Sequence, residues 1–166
     1  MQLSDIKEVR LVNLARREDR LNVCLERWPN GLPRPSVFPA IDGDLVPFPR
    51  WWKQGKGAWG CMLSHIRIME DYLNQGLKGP LAIFEDDVMF CPDFKERANE
   101  FLAKVPEVWD FIYFGGQHLK PASEHCPGVM KAVNVNRTHA FMLHEDAVAE
   151  VYFRHFVPPV MINNKS

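Results

Sequence analysis

The sequence predicts an α/β sandwich with a mainly parallel central sheet, and three observations predict it. Compact apolar runs suited to buried strands alternate with segments of helical spacing. The helical segments run for roughly 10 to 15 residues, the length that carries a chain from one parallel strand to the next. The composition, 46% apolar and 25% charged over 166 residues, is that of one folded domain, with no repeat or low-complexity tract.

VRLVNL, Val9 to Leu14, is the first strand, and the segment RREDRLNVCLERW after it has helical spacing through Leu21, Leu25 and Trp28. A proline-rich passage (Pro29, Pro33, Pro35) leads to a short strand, SVFPAIDG, and then to an irregular segment with Pro47, Pro49, Trp51 and Trp52. From Gly57 the chain turns helical, with Met62, Ile66, Met69 and Leu73 as the buried stripe, until Gly76 and the pair Gly79-Pro80 stop it. LAIFEDDVMF, Leu81 to Phe90, is a buried strand interrupted by three acids. Asp93 is placed to cap the next helix and Glu96 to close a capping box, with Phe94, Ala98, Phe101, Leu102 and Val105 facing inward. Strands VWDFIYF and VMKAVNV, an apolar stretch HAFML, and a helix through Ala147, Val148, Val151 and Tyr152 complete the order.

Charge and termini narrow the function classes. Lysine plus arginine, 20, nearly balances aspartate plus glutamate, 21, so no basic field of the kind that draws nucleic acid is present. The start MQLSDIKEVR carries acids where a secretory signal has a basic region, and no apolar run reaches membrane-spanning length, so a cytoplasmic protein is expected. Cys24, Cys61, Cys91 and Cys126 lack CxxC spacing, which argues for reduced thiols over a disulfide or zinc framework.

Three features carry chemistry. Ionised carboxylates are costly to bury unpaired, so Glu85, Asp86 and Asp87 either surface into water or meet a cation. Alternation along an extended chain puts Glu85 and Asp87 on one side and Asp86 on the other, a hard oxygen pair suited to Mg²⁺ or Mn²⁺. Arg16, Arg17 and Arg20 open a helix, where the macrodipole disfavours cations; they meet either an anion such as a diphosphate or the neighbouring Glu18 and Asp19. In GAWGCMLSHIRIMEDY, His65 falls at the edge of the buried stripe and Ser64 nearly opposite, with no acid spaced for a hydrolytic triad. Trp51, Trp52 and Trp59 suit either a stacked sugar ring or plain loop packing. Asp110, Asp146 and His139 stand near element ends as possible bases, none singled out.

Taken together, VNL followed by R-x-x-R, PAIDG, GxxGCxxSHIRIME, an apolar strand into EDD, DFIYFGG and THAFML resemble glycosyltransferase family 25, over about Val9 to Glu150. That family includes lipooligosaccharide and procollagen galactosyltransferases. The resemblance implies a GT-A-like, Rossmann-type fold and an inverting transfer of galactose or glucose from a nucleotide sugar, with UDP-hexose as donor and a glycan or other hydroxyl as acceptor. It implies a Mn²⁺ or Mg²⁺ cofactor held by Asp87 and Glu85. It places Asn13, Leu14, Arg17, Arg20, Asp42, Ser64, His65, Glu85 and Asp86 at the nucleotide sugar. It also implies one domain over residues 1–166 that stops short of the family's acceptor-side end. The competing expectations are a non-catalytic nucleotide-sugar or glycan binding module and a nucleotidyltransferase.

Overall fold

The computed structural model describes residues 1–153, so residues 154–166 of the expected domain lie outside the described residues. After a short 3-10 turn, Leu3–Asp5, the elements run β1 (Glu8–Asn13), α1 (Glu18–Glu26), β2 (Ser36–Pro39), α2 (Lys56–Asn74), β3 (Leu81–Glu85), α3 (Phe94–Lys104), β4 (Phe111–His118), β5 (Ser123–Cys126), β6 (Val129–Lys131), β7 (Val135–Leu143) and α4 (Glu145–Val151). Five strands form one sheet in the order β2-β1-β3-β7-β4, and β5 pairs with β6 as a separate ribbon. β1 is parallel to β2 and β3, while β7 is antiparallel to both β3 and β4, so every strand of this sheet except β7 runs the same way.

Period-two alternation divides the core. On one face Val9, Leu11, Ala82, Phe84 and Met142 pack with Cys24 of α1 and with Ala98 and Leu102 of α3. On the other, Val12, Leu81, Ile83, Phe141 and Leu143 pack with Ile68, Met69 and Tyr72 of α2 and with Ala147 and Val148 of α4. The central strand β3 is buried on both faces, which explains its unbroken apolar run. The result is the expected α/β/α sandwich.

Several boundaries differ from the sequence reading. The buried stripe of α2 is Ser64, His65, Ile68, Met69 and Tyr72 rather than Met62, Ile66, Met69 and Leu73. Periodicity locates an apolar stripe but is blind to a polar residue such as Ser64, whose hydroxyl is buried with its hydrogen bonds made, and to an imidazole that packs as a ring against Phe141. Asp93 does stand at the N-cap of α3, but its side chain makes no capping bond and lies 3.9 Å from Arg97. VMKAVNV is two strands, because Asn134 adopts a left-handed conformation, φ 47°, between β6 and β7. HAFML is the end of β7 rather than a separate stretch, and VWDFIYF pairs only from Phe111 onward. The SVFPAIDG strand ends at Pro39, because Asp42 closes a turn with Leu45 (3.0 Å) and accepts the Asp44 amide (3.1 Å).

Candidate active site

α1 covers one face of the sheet and α2 the other, and β1 lies between the strands that follow them. The chain therefore changes face at β1, which opens a crevice beyond the carboxyl ends of the parallel strands. Val12 is in register with Glu85 and Asn13 with Pro39, so the three strands end level. The loops leaving them line a cleft of about 280 Å³.

Two glycines shape its wall. A Cβ on Gly60 would run into the backbone of Ile41 and Gly43, and a Cβ on Gly43 into the backbone of Lys56. Only glycine lets the loop after β2 lie this close to the first turns of α2. Ser64, fully buried, clamps the contact by donating to the Gly60 carbonyl (2.7 Å) and accepting the Ile41 amide (2.8 Å).

The acids do not alternate as an extended strand would place them. β3 ends at Glu85, and a turn closed by the Val88 amide on the Glu85 carbonyl (3.0 Å) carries Asp86 and Asp87. Both then face Arg20, at 3.4 Å and 4.0 Å. Asp86 also accepts the Asn13 carboxamide at 2.7 Å. Glu85 points instead toward α2 and β7: its Oε1 accepts the Thr138 hydroxyl at 2.9 Å and the Cys61 thiol at 3.5 Å, with His65 Nε2 at 3.7 Å. Burial is the main cause that raises the Glu85 pKa, and the nearby Asp87 charge adds to it. Burial pushes the Cys61 thiol up to about 12, with Glu85 adding, and takes His65 down to about 4, so the imidazole is neutral at pH 7.

The arginines all have acidic partners in this arrangement. Arg16 pairs with Asp42, Arg17 forks onto Asp19 through two bonds of 2.9 and 2.8 Å, and Arg20 faces Asp86 and Asp87. Of the expected site residues, Leu14, Arg17, Arg20, Asp42, Glu85, Asp86 and Asp87 line the cleft. Asn13, Ser64 and His65 are buried behind it. The cleft presents five carboxylates, on Asp42, Asp44, Glu85, Asp86 and Asp87, against the three guanidinium groups of Arg16, Arg17 and Arg20. That excess of hard, anionic oxygens fits a divalent cation.

Among the three potential bases, only His139 comes near, because Ala140 is in register with Phe84 at the cleft end of β3, and His139 shares a neighbouring hollow with Asp87. Asp110 and Asp146 flank the far end of β7, where Leu143 pairs with Leu81. Cys61 and Thr138 are site residues that the sequence reading did not single out; the four-residue spacing of Cys61 and His65 on a helix was the available signal for the first. The tryptophans pack edge to face on one another, with Trp52 bonded to the Gly55 carbonyl and Trp59 to that of Pro47. Only Trp51 is largely exposed, at 55%.

The family model described as glycosyltransferase family 25 (LPS biosynthesis protein) matches residues 7–142, which takes in every element just described from β1 to most of β7. The chain belongs to glycosyltransferase family 25. Its relatives include the human inactive glycosyltransferase 25 family member 3, 33% identical over 150 residues, covering 75% of this chain and 25% of that protein. A Drosophila melanogaster glycosyltransferase 25 family member is 31% identical over 144 residues, covering 75% of this chain and 23% of its own length. Procollagen galactosyltransferase 1 of Danio rerio is 29% identical over 133 residues, 68% of this chain and 22% of that one. The chain thus spans about a quarter of the length of these curated relatives. Among its described residues, no helix is long and apolar enough to cross a membrane.

Proposed function

We propose that this family 25 domain transfers a hexose from a nucleotide sugar to a hydroxyl acceptor, and that Asp87, together with Glu85 once its side chain turns into the cleft, would hold a Mn²⁺ or Mg²⁺ ion for the donor diphosphate. The observation that carries this reading is the charge of the cleft at the carboxyl ends of β1, β2 and β3: five carboxylates against three guanidinium groups. A diphosphate meets net repulsion there unless a cation accompanies it, and carboxylate oxygens suit Mg²⁺ or Mn²⁺. When bound, the ion supplies Lewis-acid stabilisation of charge on the leaving diphosphate.

The protein's own groups have separate tasks in this scheme. Asn13 holds Asp86 through its carboxamide and so fixes the acidic turn. Arg20 lies against Asp86 and Asp87, and it can exchange those partners for phosphate oxygens once a cation neutralises them. Asp42 and Leu14 form the wall on the nucleoside side. UDP-galactose and UDP-glucose are the preferred donors on the strength of the family resemblance. Arg20, on the cleft wall, would face charge developing on the leaving diphosphate, and a fixed guanidinium there favours its departure.

A second reading, a nucleotide-sugar binding module without turnover, is favoured by one specific observation: the human relative bears the name inactive. Calorimetric titration of UDP with and without Mn²⁺, on the native chain and on Asp87→Asn, tests the shared part of both. Mn²⁺-dependent binding lost in the variant supports the site; equal binding in the two proteins removes Asp87 from it. Labelled UDP-galactose and UDP-glucose then separate the readings, because released UDP marks transfer or hydrolysis and binding without release marks the module. Pyrophosphate released from UTP would instead identify a nucleotidyltransferase.

A further inference from the structure

Cys61, His65 and Glu85 form a donor set unlike the oxygen-lined cleft beside them. Cys61 and His65 stand four residues apart on α2, so they project from neighbouring points of one helix face toward the end of β3. Cys61 Sγ lies 3.5 Å and His65 Nε2 3.7 Å from Glu85 Oε1, and the three donor atoms lie within 4.8 Å of one another. His65 is only 5% exposed, and its Nε2 is buried without a hydrogen-bond partner. A buried polar atom left in this state is unusual enough to need a reason.

We propose that Cys61, His65 and Glu85 bind a thiophilic divalent ion, with Zn²⁺ the best fit. In a tetrahedral zinc site, bonds of ~2.3 Å to sulfur and ~2.0 Å to nitrogen and oxygen set the sulfur–oxygen separation near 3.5 Å and the nitrogen–oxygen separation near 3.3 Å. The observed 3.5 and 3.7 Å approach that spacing, and the third edge, between the Cys61 sulfur and the imidazole nitrogen, lies within 4.8 Å and closes toward ~3.5 Å by side-chain rotation on binding. On binding, the Cys61 sulfur–hydrogen bond is replaced by a sulfur–zinc bond and the proton leaves to solvent. One thiolate, one carboxylate and a neutral imidazole then balance the ion's two charges.

The surroundings support the ligands. The Phe141 ring sits edge-on to the imidazole at 5.3 Å, and the Thr138 hydroxyl donates to Glu85 Oε1. Such outer contacts orient ligands and hold metal affinity. Three protein ligands leave a fourth position for water or a substrate oxygen. Thiolate and imidazole select against Mg²⁺, so this site is chemically distinct from the one proposed at Asp87 and shares only Glu85 with it. It stands without any nucleotide.

Titration of Co²⁺ into the reduced, chelator-treated protein, with no nucleotide present, tests it. A near-ultraviolet thiolate-to-cobalt charge-transfer band with intense visible bands of four-coordinate cobalt is expected, both bleached by stoichiometric Zn²⁺. Cys61→Ser should lose the charge-transfer band while melting as a folded protein. Cys91→Ser and Asp87→Asn should keep it. His65→Ala should weaken Zn²⁺ binding by ~100-fold or more, beyond what changes to outer partners cause. A weak six-coordinate spectrum, a band that survives Cys61→Ser, or a band lost in Asp87→Asn would each overturn the assignment, the last by moving the ion into the acidic cleft.

Discussion

The Asn13 carboxamide donates both to the Asp86 carboxylate, at 2.7 Å, and to the Arg17 carbonyl, at 3.0 Å. One buried side chain at the end of β1 thereby ties the entry of α1 to the acidic turn after β3. Asn13→Ala is expected to cost about 1–3 kcal/mol of stability, because it strips a charge-assisted bond from a partly buried carboxylate. It should also weaken Mn²⁺-dependent UDP binding more than the loss of stability alone explains. Denaturant melts and calorimetry on the same preparation check the two effects together. Asn13→Asp should bind more weakly still, since it sets a second negative charge against Asp86.

Gly57 and Gly60 lie one helical turn apart in α2 and predict opposite outcomes. A Cβ on Gly57 meets nothing within 4 Å, whereas one on Gly60 meets the Ile41 and Gly43 backbone. Gly57→Ala should therefore be neutral or stabilise by up to about 1 kcal/mol through helix propensity. Gly60→Ala should destabilise by about 1–3 kcal/mol, because backbone cannot step aside as a side-chain end can. Thermal melts of the two variants, compared with the native chain, read the difference directly.

These residues also show where the sequence was informative. The order of strands and helices was legible because apolar runs and helical periods set it locally, whereas the meeting of EDD with the arginines after β1 was expected only through the family resemblance. The antiparallel insertion of β7 between β3 and β4 was not, since strand order depends on long-range pairing that no local pattern records. The burial of Ser64 and His65 was misplaced for a related reason: Ser64 is satisfied by the Ile41 amide and His65 is packed beside Glu85 and Phe141, all distant from them in sequence. The turn at Asp86 defeated the alternation argument, which holds only while the strand lasts.

Arg20 competes with any cation for Asp86 and Asp87. Its guanidinium is partly exposed, so each contact is worth no more than about 1 kcal/mol. Arg20→Met should therefore raise affinity for Mn²⁺ alone by about threefold to tenfold, an effect of roughly that energy. The same variant should bind UDP in the presence of Mn²⁺ less tightly than the native chain, because a phosphate partner is gone. A change of the same sign in both titrations would show that Arg20 acts on the cation alone.

His65 makes the fold sensitive to acid. Burial lowers its pKa to about 4 from an ordinary 6.5, so the unfolded chain takes up a proton on this residue before the folded one does. The unfolded state then binds more protons throughout the interval between the two values, and stability must fall as the pH drops across it. The stabilisation is fully present above about pH 6.5 and is lost progressively toward pH 4, at most about 3 kcal/mol for a shift of this size. Glu85, with its pKa raised, works in the opposite sense and gains stability as the pH falls toward its ordinary range. Denaturant midpoints in chelator at pH 7 and pH 5 should therefore show a net loss in the native chain. His65→Gln, which carries no titratable proton, should reverse that slope and leave the Glu85 contribution exposed. An unchanged slope in the variant would assign the acid sensitivity to other groups.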